Sequence, residues 1–186
     1  MIPLLWIDVE TTGLDPREHE LLEVAGILTD TQLREVRRIS HVIRPSDDAF
    51  EMAVRRVQQM HLESGLWDEA FTSGEMLHNV MESLAILLED ASKLSTKAGC
   101  GHRIQIAGSS PTFDRGWVLH HLPCAEDLMH YRSFDVNPLR YAEGSSKDGH
   151  RRPHRAVLDL EQDIDFTRDV VARLGRTPRN TGESAA

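Results

Sequence analysis

Residues 4–14 read LLWIDVETTGL, an apolar run interrupted by two carboxylates, Asp8 and Glu10. Leu4 to Val9 has the composition of a buried β-strand. The segment TTGLDPREHE (11–20), broken by Gly13 and Pro16, reads as the loop after it. Side chains alternate faces along a strand, so Asp8 and Glu10 point the same way and Val9 the opposite way. Two adjacent negative charges repel unless a proton or a cation lies between them. Hard divalent ions such as Mg²⁺ prefer carboxylate oxygens and commonly take one or two from protein. Alone, the pair equally describes a strand end with two solvated acids.

Outward from this stretch, LLEVAGILTD (21–30) is a second apolar run, and LREVRRISHVIRP (33–45) is β-rich and stops at a proline, which suggests an antiparallel meander. The pattern turns helical from Asp47. In SGEMLHNVMESLAILLEDASK (73–93), Leu77, Val80, Met81, Leu84, Leu88 and Ala91 fall on one stripe, as in an amphipathic helix. HRIQIAG (102–108) reads as a short buried strand. Ser110 is placed to cap the next helix, with Pro111 at its first position. YRSFDV (131–136) is a further strand, AEGSSKDGHRRP (142–153) a polar loop, and a last helix runs from about His154 to Leu174. Strands first, then helix, strand and helix, predict an α/β fold with a mixed sheet flanked by helices. One domain over residues 1–174 and a disordered tail over 175–186 complete the expected organisation.

The 186 residues suffice for a substantial core. No apolar run approaches the roughly 18 residues of a membrane span, and Met1 leads almost directly into the first strand without a secretory leader's pattern. Cys100 and Cys124 form no disulfide framework, which fits a reducing cytoplasm. The formal charge of −9 argues against tracking along long nucleic acid, which requires a basic surface. A short piece of nucleic acid held in a local pocket is compatible with it.

Two further acidic positions join the first pair. Asp114 falls one turn into the helix after Gly108, near the end of a buried strand; taken singly, it is an acid favoured by a helix N-terminus. In HRAVLD, His154 stands at the mouth of the last helix and Asp159 in its early turns. The neighbouring HRRPHR (150–155) lacks the ligand spacing of a zinc site and reads as a loop delivering His154. Phe113 and Trp117 read as core, and His120 and His121 as helix surface.

In the order DxE, D, HxxxxD, these segments resemble the three motifs of the DEDD 3′–5′ exonucleases, in the subgroup with histidine in the third motif. The resemblance implies a ribonuclease H-like fold and two divalent ions, Mg²⁺ or Mn²⁺. It makes Asp8, Glu10, Asp114 and Asp159 the metal ligands and His154 the general base. Within that superfamily the chain is most similar to the oligoribonuclease family, through TGLDP (12–16), HLESGL (61–66), HYRSFDV (130–136) and HRAVLD (154–159). This similarity implies a homodimer that cleaves very short RNA, above all dinucleotides, to 5′-mononucleotides. Leu14 would wedge against the bases, His61 would contact the substrate, and Ser110 and Arg132 would hold the 5′-phosphate, with Tyr131 reaching in from the partner subunit.

Three positions depart from the family pattern: Ser109 replaces an asparagine, Arg56 a tryptophan and Asn137 a serine. Loss of an aromatic platform removes stacking of ~1–3 kcal/mol per base, unless Trp67 or Arg56 substitutes. The alternative enzyme reading is a broader DEDD exonuclease trimming single-stranded RNA or DNA ends. A catalytically idle nucleotide-binding module would be expected to lose at least one of the five catalytic positions, and all five are present.

Overall fold

The computed structural model describes residues 1–144 and 153–176. Strand β1 (Leu4–Thr11) lies at the centre of the sheet because it can be buried on both faces: Leu4, Leu5, Trp6 and Ile7 have no exposed surface. It pairs antiparallel with β2 (Leu21–Thr29), which pairs antiparallel with β3 (Glu35–Val42), forming the expected meander. On its other side β1 runs parallel to β4 (Ile104–Gly108), and β4 runs parallel to β5 (Met129–Asp135). The five strands are ordered β3-β2-β1-β4-β5 among the described residues, a mixed sheet.

Alternation along β1 divides the core into two layers. Leu5, Ile7 and Val9 pack with Val80, Leu84, Leu87 and Leu88 of α4 (Leu77–Lys97) and with Trp117 and Val118 of α5 (Thr112–His121). Leu4 and Trp6 face the other way, toward Ala156, Leu160 and Ile164 of α7 (Ala156–Arg176). A fully buried Leu, Ile or Phe contributes about 1.5–3 kcal/mol by leaving water, so a one-residue slip of β1 would interchange both layers. A third, smaller cluster joins Leu22 to Ala49 and Ala53, bracketing α1 (Ala49–Met52), and to Leu66 and Trp67 of α3 (Leu66–Ser73). Between them lies α2 (Arg55–Glu63). A 3-10 turn (Pro123–Asp127) precedes β5, and α6 (Asn137–Ala142) follows it.

The long amphipathic helix begins at Leu77, the first residue of the apolar stripe, and not at Ser73, where the helical-looking segment opens. Gly74 and Glu75 are extended instead, with the Glu75 N–H donating to the Val42 carbonyl and Arg44 N–H to the Glu75 carbonyl, both at 2.8 Å. Gly74 permits this, since a Cβ there would lie 2.4 Å from the Ala70 carbonyl oxygen. At the other end α7 continues to Arg176, so Gly175 and Arg176 belong to the helix rather than to a tail. Residues 177–186, and residues 145–152 of the polar loop with Arg151 and Arg152, lie outside the described residues. Among those described, no helix is long and apolar enough to cross a membrane.

Candidate active site

Even-numbered residues of β1 face α7, so Asp8 and Glu10 continue the face begun by Leu4 and Trp6. Glu10 is buried and Asp8 half-buried. Asp159, in the first turn of α7, is buried as well, and His154 stands two residues before that helix. Glu10, His154 and Asp159 each bring one ligand atom within 4.8 Å of the others. Asp114 comes from the opposite layer, in the first turn of α5. Its Oδ1 accepts the N–H of Val9 at 3.0 Å, between the two acids of β1. Segments more than a hundred residues apart thus meet at one strand end.

Left-handed backbone shapes both sides of the site. His154 has φ of +54° and Ser110 of +63°, conformations that cost most residues about 1–2 kcal/mol. Ser110 therefore does not cap α5; Pro111 takes that position and no side chain bonds the cap. Instead Asp135 Oδ1 accepts the N–H groups of Ser110 at 3.1 Å and Asn137 at 2.9 Å, while Asn137 Nδ2 donates to Ser110 Oγ at 2.9 Å. The replacement at 137 thus bonds directly to one of the expected phosphate contacts.

A family model described as an exonuclease matches residues 5–66. An oligoribonuclease from Streptomyces griseus is 33% identical over 172 residues, covering 87% of this chain and 81% of that protein. One from Tropheryma whipplei is 31% identical and is 87% covered. The chain belongs to the oligoribonuclease family. A zinc-bound complex of E. coli exonuclease I with single-stranded DNA superimposes with a TM-score of 0.70 at 17% identity. It is matched over 95% of this chain, which spans only 42% of that polypeptide, and it supports the shared ribonuclease H-like fold. As an oligoribonuclease-family member the chain is a nuclease of the DEDD superfamily, a 3′–5′ exoribonuclease, and the family carries dependence on divalent metal. The donor set fits such an ion: carboxylate oxygens converge with a histidine, and burying Glu10 beside Asp159 is costly without a cation or a proton.

The remaining expected contacts divide by exposure. Leu14 is 78% exposed at the tip of a tightly bonded loop. Thr12 N–H donates to the Glu20 carbonyl at 2.8 Å, and Thr11 Oγ1 to the Gly13 carbonyl at 2.6 Å. A Cβ at Gly13 would lie 2.0 Å from the His19 ring, so any other residue there would displace that side chain. His61, in contrast, has no exposed surface. Its Nε2 donates to the Thr11 carbonyl at 3.0 Å, its ring meets Trp67 edge-on, and Glu10 Oε2 lies 3.7 Å away. In this conformation it supports the loop from below. Burial pushes its imidazole down from 6.5 to about 4, so it is neutral at pH 7.

Tyr131 is 72% exposed, stacked on His130 with 4.5 Å between centroids, and the Arg132 guanidinium lies 5.1 Å from its ring centre. Arg132 lines a cavity of about 260 Å³ with Arg103, Cys100 and Gln105, none of them from the carboxylate cleft. Trp67 is buried and donates its indole N–H to the Gln58 carbonyl, so it does not serve as a stacking platform; Arg56 is exposed. His120 is surface as expected, whereas His121 is half-buried and stacks on Trp117.

Glu23, Arg155 and Asp135 were not legible as site residues. Glu23 left one trace, a lone charge in the otherwise apolar run LLEVAGILT. It is buried and sits directly opposite Glu10 in the β1–β2 ladder.

Proposed function

We propose that the chain hydrolyses very short RNA, dinucleotides above all, from the 3′ end to 5′-mononucleotides, with Asp8, Glu10, Asp114 and Asp159 holding two Mg²⁺ or Mn²⁺ ions. The observation that carries this reading is the convergence of Glu10, His154 and Asp159 within 4.8 Å, beside an Asp114 clasped to the backbone between Asp8 and Glu10. Divalent ions held there would activate the attacking water and offset charge developing on the phosphate and leaving oxygen. His154 takes the water's proton as general base; a histidine's ordinary pKa of ~6.5 suits that role near neutrality. Water adds to phosphorus, the bond to the 3′-oxygen breaks, and the shortened chain leaves with a 3′-hydroxyl.

Leu14, already in solvent, would lie against the bases at no cost in core packing. Ser110 and Arg132 would take the 5′-phosphate, which restricts length because a donor set shaped for a terminal phosphate is not matched by a continuing chain. Tyr131, exposed and stiffened by His130 and Arg132, suits a contact across a homodimer, and His61 would act through the Thr11–Leu14 loop. Exposed free thiols at Cys100 and Cys124 fit a reducing, cytoplasmic setting.

Incubating 5′-labelled RNAs of two to seven nucleotides with Mg²⁺ or Mn²⁺ tests the reading. Fastest turnover at two nucleotides is expected. Equal rates at all lengths would favour the broader exonuclease, and hydrolysis insensitive to chelator would remove the metal mechanism. For the dimer, mixing Tyr131→Ala with Asp8→Ala subunits should restore part of the lost activity; no restoration removes the contact in trans.

A further inference from the structure

We propose that Arg155, braced by Glu23 and Glu69, is the positioning residue that holds His154 in its working orientation. The inference rests on the reading of His154 as the general base. Arg155 is the next residue along the chain, so any constraint on its guanidinium is passed on through a single peptide unit. Arg155 Nε lies 3.3 and 3.2 Å from the two carboxylate oxygens of Glu23, and Nη2 lies 3.2 Å from Oε1 of the same residue. Nη2 also donates to Glu69 Oε2 at 2.7 Å. Glu23 has a second duty: its Oε2 accepts the N–H of Ala156 at 2.9 Å, the first residue of α7. One buried carboxylate thereby fixes both the residue after His154 and the start of the helix that carries Asp159.

Three features make this more than a fold contact. His154 occupies a left-handed conformation that its own side chain disfavours, so its surroundings must hold it there. A planar guanidinium can engage two carboxylates at once, which a lysine ammonium does poorly. Finally, Glu23 is the direct cross-strand neighbour of Glu10. By satisfying Glu23, Arg155 separates a structural carboxylate from its catalytic neighbour and leaves Glu10 to the cluster with His154 and Asp159.

The test uses the full chain with Arg155→Lys, Glu23→Gln and Glu69→Gln, alone and combined with His154→Ala. Glu69 is only partly buried, so Glu69→Gln removes one charge from the brace, and weakens that bond, without disturbing the buried pair. Arg155→Lys should lower kcat on a dinucleotide about 10–100-fold with KM within about twofold, and Glu69→Gln should lower it about twofold to fivefold. Saturating Mn²⁺ should not restore either. In metal-free protein, hydrogen exchange at the amides of Ala156 and Val157 should accelerate at least about tenfold in Arg155→Lys and Glu23→Gln. In the His154→Ala background, Arg155→Lys should cost less than about twofold more, because the two act as a unit. An equal loss in both backgrounds, rescue by metal, or faster exchange with unchanged kcat would each overturn the proposal. Near-normal turnover by His154→Ala alone would instead remove the base assignment, and the positioning role with it, so the two failures are told apart by which variant reveals them.

Discussion

The floor and the rim of the candidate site are built in opposite ways. On the floor, Glu10, Asp114 and Asp159 are each less than a tenth exposed, and each stands on a strand or in the first turn of a helix that is itself packed against the core. Leu14, Tyr131 and Arg132, proposed as the rim, project into solvent from a loop and an edge strand. The difference matters chemically. Groups that handle developing charge act best when their positions are set before the substrate arrives, and only a packed core supplies that rigidity. Groups that select a substrate need only meet it, and can remain in water until then.

Breaking the floor should have the largest effect. Asp114→Asn retains an oxygen able to accept the Val9 N–H, so the clasp and the fold should survive. One negative charge is lost from the cleft, and turnover should fall about a thousandfold, in line with losses on removing one preorganised electrostatic group. Steady-state hydrolysis and melting with and without Mn²⁺ check this. The chelated variant should melt no lower than the chelated parent, because a like-charge repulsion has been relieved, and Mn²⁺ should raise its melting temperature less. A variant that unfolds while keeping its specific activity would place Asp114 in the scaffold instead.

Beneath the rim, His61 belongs physically to the floor, and its titration sharpens the division. Its folded-state pKa near 4 is below the unfolded 6.5. The unfolded chain therefore binds this proton first as pH falls, and the folded state is penalised. In chelated protein this contribution is complete above pH 6.5, is lost progressively down to about 4, and changes no further below that. At 1.36 kcal/mol per unit the loss approaches about 3 kcal/mol. Denaturation measured across pH 7 to 4 should show a slope that flattens in His61→Gln, whose amide nitrogen matches Nε2 and can still donate to the Thr11 carbonyl. An unchanged slope would mean that His61 is hydrated and titrates freely.

The same division governs what could be read in the chain. The floor was legible only through the order DxE, D, HxxxxD and its resemblance to the exonuclease motifs, since each acid taken singly reads as readily as a solvated or helix-favoured carboxylate. The two-sided burial of β1 followed from an apolar run. What escaped depends on contacts across long stretches of chain. Arg155 and Glu23 are 132 positions apart, and no periodicity links them. That Trp67 turns inward follows from the packing of α3 on Leu22, and that His61 does from its contacts with Trp67 and the Thr11 carbonyl, since both types occur inside and outside proteins. The backbone at Ser110 defeated a capping rule that assumes ordinary φ, because Asp135 captures the N–H from another strand.

On the rim, Arg132→Ala should weaken use of a 5′-phosphorylated dinucleotide about 10–100-fold, the value of a charge-assisted bond. The informative measurement is a ratio. Dinucleotides with and without the 5′-phosphate should differ clearly for the parent and converge in the variant. An equal loss on both would move Arg132 from phosphate recognition to the interface that Tyr131 is proposed to make.

Leu14→Ala should have the smallest effect and isolates the rim most cleanly. The side chain is 78% exposed, so its removal takes nothing from the core, and the melting temperature should stay within about a degree. Its contribution arises only when bases cover it. Burying most of a leucine against a flat apolar surface contributes about 1–2 kcal/mol, so KM for the dinucleotide should rise about 5–30-fold while kcat changes little. The neighbouring Gly13 supplies the control: Gly13→Ala would drive a Cβ into the His19 ring and distort the same turn. Leu14→Ala should therefore show a KM effect without a stability effect, and Gly13→Ala both. If Leu14→Ala instead lowered the melting temperature and left KM unaltered, the loop tip would be serving the floor, and the separation between preformed chemistry and solvent-held recognition would fail at the position where it is most exposed.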